Sequence, residues 1–430
     1  MSARAALRQR DFTLLWAGQA TSQIGSRGYG LAIMLWVLAG THSPVAVGAV
    51  TTVTLAAVTV AQVPAGWLAD RYDRRRLMLA SDAIAALGTG SLAVAASVGA
   101  FQLAHVFAVA AVLGIGWAVR GTAQSAALPR MVDADELADA LALNQARGYA
   151  TGIIGPLLAG VLFTASPILP FAVDAASYAV GGICTFFIRA RLNPAPASPI
   201  PVLATASGSR RHELMAWSAF MVGVRAVWKQ PFIRASLALA MVGEFVVSGG
   251  GLFLVTRLDR GSATTSTIGV VLSVAYGAGL LGALAVPALG RRVRGRTLLV
   301  AAPLGAAVGV LGLAAGTRIL AGVGYAVVLL ARPLWQVPMT QAWQLLAEDE
   351  IRGRVMGAIG AILAIAATVT PAVTGLLLDA FGPVSTVVLM ALALTMAAVV
   401  TVTNQAVRAY PWQSVPSRRR SSSGYRLDTT

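Results

Sequence analysis

Apolar residues run along this chain in long stretches cut by short polar breaks. They fall near 12–39, 44–69, 77–97, 102–129, 145–165, 168–189, 233–256, 266–290, 298–316, 319–346, 354–379 and 384–407. A helix needs about 20 apolar residues to cross the hydrocarbon core of a bilayer. The alternating ten-residue segments of a transmembrane barrel are missing. The pattern therefore predicts an all-α membrane fold of twelve transmembrane helices. The stretches are rich in Ala, Val, Leu and Gly, and small residues let helix backbones approach in lipid. Pro64, Pro156, Pro287 and Pro371 lie inside them, which membrane helices tolerate.

Composition narrows the function classes. Hydrophobic residues make up 57% of the 430 and charged residues only 12%, too little polar surface to solvate a soluble enzyme. One cysteine, Cys184, excludes an intramolecular disulfide and a cysteine zinc cluster. His42, His105 and His212 have no metal-ligand spacing, and no phosphate-cradling loop occurs. Neither a cofactor nor a metal is expected, and the chain does not read as an enzyme.

The formal charge of +16 admits nucleic acid or anionic lipid as a partner, and its distribution decides. Twelve crossings place both termini on one side. That side collects Arg4, Arg8, Arg10, the clusters at 71–76 and 291–296, Arg189, Arg191, Arg210, Arg211, Arg352, Arg354 and the tail arginines. The other side holds Arg257, Arg260 and Arg318. This asymmetry predicts cytoplasmic termini, with Met1–Asp11 as a cytoplasmic lead-in. No basic domain stands outside the bilayer, so no nucleic-acid partner is expected.

The longest break divides the chain into a six-helix half at 1–190, a cytoplasmic linker at 191–232, a second half at 233–407 and a disordered tail at 408–430. The linker opens with a Pro/Ala/Ser-rich segment, Asn193–Gly208. It continues with Trp217, Phe220, Met221, Val224, Val227 and Trp228 at helical spacing, which predicts an amphipathic helix on the membrane surface. The halves repeat each other. Gly155, Pro156 and Gly160 recur half a chain later as Thr370, Pro371 and Gly375, and the basic cluster after Asp70 recurs in the same order from Arg291. Parallel repeats of this kind place a substrate site between the halves, near the midplane.

The segment Gly66-Trp67-Leu68-Ala69-Asp70-Arg71-Tyr72-Asp73-Arg74-Arg75-Arg76 resembles the signature of the major facilitator superfamily. Arg10-Asp11-Phe12, Phe171-Ala172-Val173-Asp174-Ala175-Ala176-Ser177-Tyr178 and Arg352-Gly353-Arg354-Val355-Met356 resemble its bacterial efflux subgroup, which includes the enterobactin exporter and macrolide efflux pumps. The resemblance covers residue 8 to about 407. Thr151 stands where the antiporter motif of span five has Gly, and Arg291 where the second-half signature would have an acid.

The resemblance implies a secondary active exporter of a small amphipathic molecule (antibiotic, drug or siderophore) working by proton antiport and alternating access. Such a protein would be a multi-pass monomer in the bacterial inner membrane. An importer of a small metabolite and a non-transport membrane protein are the alternatives. Asp70, with Arg71, Asp73 and Arg74, would form a conformational latch. Gly155, Pro156, Gly160, Pro371 and Gly375 would act as hinges or seals.

Charges inside the spans are costly, about 2.5–3.5 kcal/mol each at a helix centre on insertion scales, so the few present are informative. Arg27, Arg120, Asp174, Glu244 and Arg332 are the candidates for proton coupling or substrate contact. Glu244 leads for the proton, and Arg27 is a candidate partner for it. Arg120 has Asp82 within the same half as a candidate partner. Tyr29, Trp36, Trp117, Tyr149, Trp335, Gln336, Gln341 and Trp343 are candidate cavity-lining residues.

Overall fold

The computed structural model describes residues 9–128, 131–132, 137–190, 192, 221–260, 264–293, 295–347 and 351–410, and these form an all-helical bundle. The first half contains α1 (Arg10–Thr41), α2 (Pro44–Arg71), α3 (Arg74–Ser97), α4 (Leu103–Ala127), α5 (Leu137–Ala165) and α6 (Ile168–Phe186). The second contains α7 (Pro231–Arg260), α8 (Thr265–Arg292), α9 (Gly295–Leu313), α10 (Arg318–Leu346) and α11 (Arg352–Thr403), followed by the short α12 (Gln405–Ala409). Ten of these helices are long and apolar enough to cross a membrane. The longest, α11, bends at Gly382, whose φ of 75° lies in the left-handed region where a side chain would be strained. Pro383 starts the second arm.

Local chemistry sets the helix ends. Ser43 caps α2 with Pro44 in its first turn, Asp73 caps α3, Thr264 caps α8 and Thr317 caps α10, each side chain accepting a backbone N–H. These side chains satisfy donors that have no partner in the first helical turn. Asp11 has a longer reach, accepting the N–H groups of Arg189 and Ala190 at 3.1 and 2.7 Å and so tying the start of α1 to the end of α6.

The two halves use the same pairings. In the first, α1 packs on α5 and α6, α3 on α4 and α6, and α2 on α4. In the second, α7 and α9 pack on α11, and α8 and α9 on α10. Between the halves the main contacts are α2 with α11 and α5 with α8.

Of the predicted amphipathic helix, Trp217 and Phe220 lie outside the described residues, as do Asn193–Gly208 and 411–430. Residues 221–229 are helical. Gly223 lies against the backbone of Arg354, and Val227 is buried in the core of the second half. The chain stays ordered past 407, where the Tyr410 ring packs on Phe232 with centroids 4.9 Å apart.

Candidate functional site

Two crossings join the halves, and they are one design used twice. A Cβ on Gly48 of α2 would fall on the Pro371 carbonyl of α11, and one on Gly375 would meet the Pro44 carbonyl at 2.8 Å. In the other crossing a Cβ on Gly269 of α8 would fall on the Pro156 carbonyl of α5, and one on Gly160 would meet the Thr265 carbonyl at 2.7 Å. Under the offsets of the sequence repeat, Gly269 is the second-half counterpart of Gly48, and Pro371 that of Pro156. Hydroxyls fasten both crossings at matching positions. Ser273 donates to the Ile153 carbonyl at 2.6 Å, while Thr52 accepts the Ala372 N–H at 3.1 Å.

Both crossings lie toward the end of the bundle where α1 finishes. Eighteen residues make five helical turns, so Gly66 shares a face of α2 with Gly48, and Gly357 shares a face of α11 with Gly375. Yet a Cβ on Gly66 or Gly357 would meet nothing within 4 Å. The helices diverge, and a cleft between the halves opens at the end where α1 begins.

Helical spacing shows what enters this cleft. Arg27, Leu31 and Leu35 follow one another at four-residue spacing along one face of α1. Leu31 and Leu35 are buried in the core of the second half. On α7, Glu244, Ser248 and Leu252 share a face, and Leu252 is buried in the core of the first half. The apolar ends of both faces cross to the opposite half at the sealed end. Arg27 and Glu244, one and two turns away, therefore sit where the halves part.

Glu244 and Arg332 form an ion pair, and Arg332 Nε donates to Gln336 Oε1 at 3.1 Å. The Arg27–Glu244 pair suggested by the sequence is not formed, because α10 supplies the partner. Arg27 is exposed and makes no hydrogen bond or ion pair among the described residues. Its Cβ lies against Gly155 of α5, where only a residue without a side chain fits. Trp335 and Trp343 are each 2% exposed and belong to the core of the second half, so they do not line the cleft.

The remaining interior charges lie within the first half. Arg120 of α4 pairs with Asp82 of α3, Nε to Oδ1 at 2.5 Å and Nη2 to Oδ2 at 3.4 Å. Asp174 is fully buried, and neither carboxyl oxygen has a hydrogen-bond partner among the described residues. Its neighbour Tyr178 bonds the Ser26 hydroxyl at 2.8 Å and accepts the indole N–H of Trp117 at 2.6 Å.

At the open end, Asp70 is exposed at the tip of α2. The Arg71 guanidinium stands 4.5 Å above the Trp67 ring. Asp73 accepts the Arg75 N–H at 2.8 Å, and Arg74 donates to the carbonyls of Ala69 and Ala126 at 3.3 and 2.9 Å. Asp73 and Arg74 thus shape the α2–α3 turn and tie it to α4.

One group escapes the sequence reading. Arg147 of α5 is 5% exposed and donates to the carboxamide oxygens of Gln19 and Gln23. It lies at the edge of its apolar stretch, where an arginine ordinarily marks the headgroup level. The α1 periodicity through Gln19 and Gln23 is the signal that points inward.

Residues 15–350 match the sequence profile of the Major Facilitator Superfamily. The chain belongs to that superfamily. Membership makes it a multi-pass membrane protein. It is 25% identical over 288 residues to the Enterobactin exporter EntS of Escherichia coli O127:H6, covering 66% of this chain and 65% of the length of that exporter. It is 25% identical over 179 residues to Macrolide efflux protein A of Streptococcus pyogenes, covering 41% and 44%. Among solved structures, the nucleoside transporter NupG superposes with a TM-score of 0.71 at 13% identity, covering 93% of this chain and 99% of the other. A bacterial homologue of the human lysosomal transporter Spinster gives 0.71 at 14%, covering 93% and 96%. At these identities the likeness to the solved structures is one of fold.

Proposed function

We propose that this superfamily member is a proton-coupled exporter of a small amphipathic molecule, such as an antibiotic, drug or siderophore, acting by alternating access. The carrying observation is the cleft, sealed at one end by two symmetric Gly/Pro crossings and open at the other, with Arg27 and the Glu244–Arg332 pair between. Rocking the halves about these charges would expose them to the two sides in turn. The similarity to an enterobactin exporter and a macrolide efflux protein supports export.

In this reading α1 and the second arm of α11 complete twelve crossings in a bacterial inner membrane. The open end and both termini face the cytoplasm, following the arginine distribution. The protein acts as a monomer. Glu244 carries the coupling proton: protonation removes the charge that holds Arg332 and frees the guanidinium to engage elsewhere. Asp174 is a packing residue in this scheme.

The test is accumulation of a panel of antibiotics and siderophores in cells with and without the protein, under an imposed pH gradient and after its collapse. Export predicts lower accumulation when the protein is present, with the difference lost on collapse. Glu244→Gln should cut gradient-driven flux at least tenfold. Higher accumulation in its presence would make the protein an importer. Unchanged gradient-driven flux in the Gln variant would remove Glu244 from the coupling.

A further inference from the structure

The cleft and the seam beside it hold more cations than anions. On α1, Arg27 precedes Leu31 and Leu35 on the face that reaches the second half, while Gln19 and Gln23 are engaged by Arg147 of α5. Arg27 is exposed and has neither a hydrogen bond nor an ion pair among the described residues. Arg147 sits two turns from Gly155, the residue that touches Arg27, which is about 12 Å along the seam at 1.5 Å per residue. It is buried at 5% exposure with only amide oxygens as partners.

Gln19 has committed its oxygen to Arg147, and its buried Nε2 has no hydrogen-bond partner among the described residues. Glu244 is the carboxylate placed toward the cleft, and Arg332 already holds it. The α1–α5 seam therefore offers donors without acceptors and positive charge without counter-ion, inside the membrane-spanning part of the bundle. Unpaired intramembrane charge marks function, and a guanidinium presents a fork of N–H donors matched to a planar anionic group.

We propose that the transported molecule is an organic anion, whose carboxylate or other delocalised oxyanion docks on Arg27 in the cleft while Arg147 adds field from behind α1. This rests on the transporter reading but not on the direction of transport or its coupling.

The experiment is equilibrium binding to the purified full-length protein by fluorescence polarisation, using two xanthene dyes of similar shape and opposite charge: carboxyfluorescein and rhodamine 6G. Carboxyfluorescein should bind at least tenfold more tightly than rhodamine 6G. Arg27→Gln should weaken carboxyfluorescein at least tenfold. Arg27→Lys should retain it within about threefold, and Arg27→Glu should invert the dye preference. Arg27 has no partner to lose, so these variants should keep the parent's thermal midpoint, which the same samples report. Tighter binding of rhodamine 6G, no binding of carboxyfluorescein, or indifference to Arg27→Gln would overturn the proposal. An importer that binds the anion would keep it while sinking the export reading, and an exporter that prefers the cation would do the reverse.

Discussion

Asp82 and Asp174 are both buried carboxyl groups in the first half, yet removing the charge from each should have opposite consequences. Asp82 is held by Arg120, itself nearly buried. Neutralising one member of a buried pair strands the other, at a cost of about 3–5 kcal/mol. Asp174 has no charged partner to strand among the described residues, and an amide of the same shape gives a site short of partners both a donor and an acceptor. Asp82→Asn should therefore lower the thermal midpoint of the purified protein by several degrees, while Asp174→Asn should leave it unchanged or raise it. Equal destabilisation by both would mean that Asp174 has a counter-charge that matters. The sequence made both acids visible as intramembrane charges. It suggested Arg120 as a partner for Asp82, but whether that pair forms depends on which face of α4 meets α3. Arg332 as the partner of Glu244 was hidden for the same reason: α7 and α10 are distant in sequence, and spacing within one helix says nothing about the helix opposite.

The crossings belong to the scale of elements, and there the sequence was far more legible. Helix positions followed from apolar runs, and the recurrence of Gly-Pro landmarks half a chain apart foretold that the halves would repeat. What the repeat left unstated is that its landmarks meet in space, α2 with α11 and α5 with α8, so that each proline carbonyl faces a glycine of the other half. Small residues at such contacts let backbones approach, and a side chain there drives them apart. Gly48→Val or Gly269→Val should therefore loosen the sealed end. In a Cys184→Ser background, a cysteine at Thr41 or Thr264 should react with a membrane-impermeant maleimide several-fold faster in either variant than in the parent. Gly66→Val, on the same face of α2 but in open space, is the control and should change nothing. Equal labelling in all of these would mean that the crossings are passive packing. The bend in α11 was legible in part, since the Gly382-Pro383 break lies between two apolar runs.

At the scale of the whole molecule, one conformation is on view, and its counterpart can be argued from what the open end lacks. Closing the cleft at the end where α1 begins requires the tip of α2 to approach the first turn of α11. The tip of α2 carries Asp70, exposed in this state. The first turn of α11, from Arg352, contains no acidic residue, and its free amides present a partial positive charge worth about 0.3–1 kcal/mol to a nearby carboxylate, rising to ~2 in partly buried geometry. An attraction of that size changes a two-state population about twofold to thirtyfold, and it acts only when the cleft has closed at this end. Asp70→Asn should therefore weaken that closed state and leave the one described here favoured. Spin labels on cysteines at 66 and 357, again without Cys184, would give a long distance in the present state and a short one after closure. The parent should show both under transport conditions, and Asp70→Asn should lose most of the short population. Two identical distributions would mean that Asp70 ends α2 as an ordinary solvated helix-end charge and that closure is driven elsewhere.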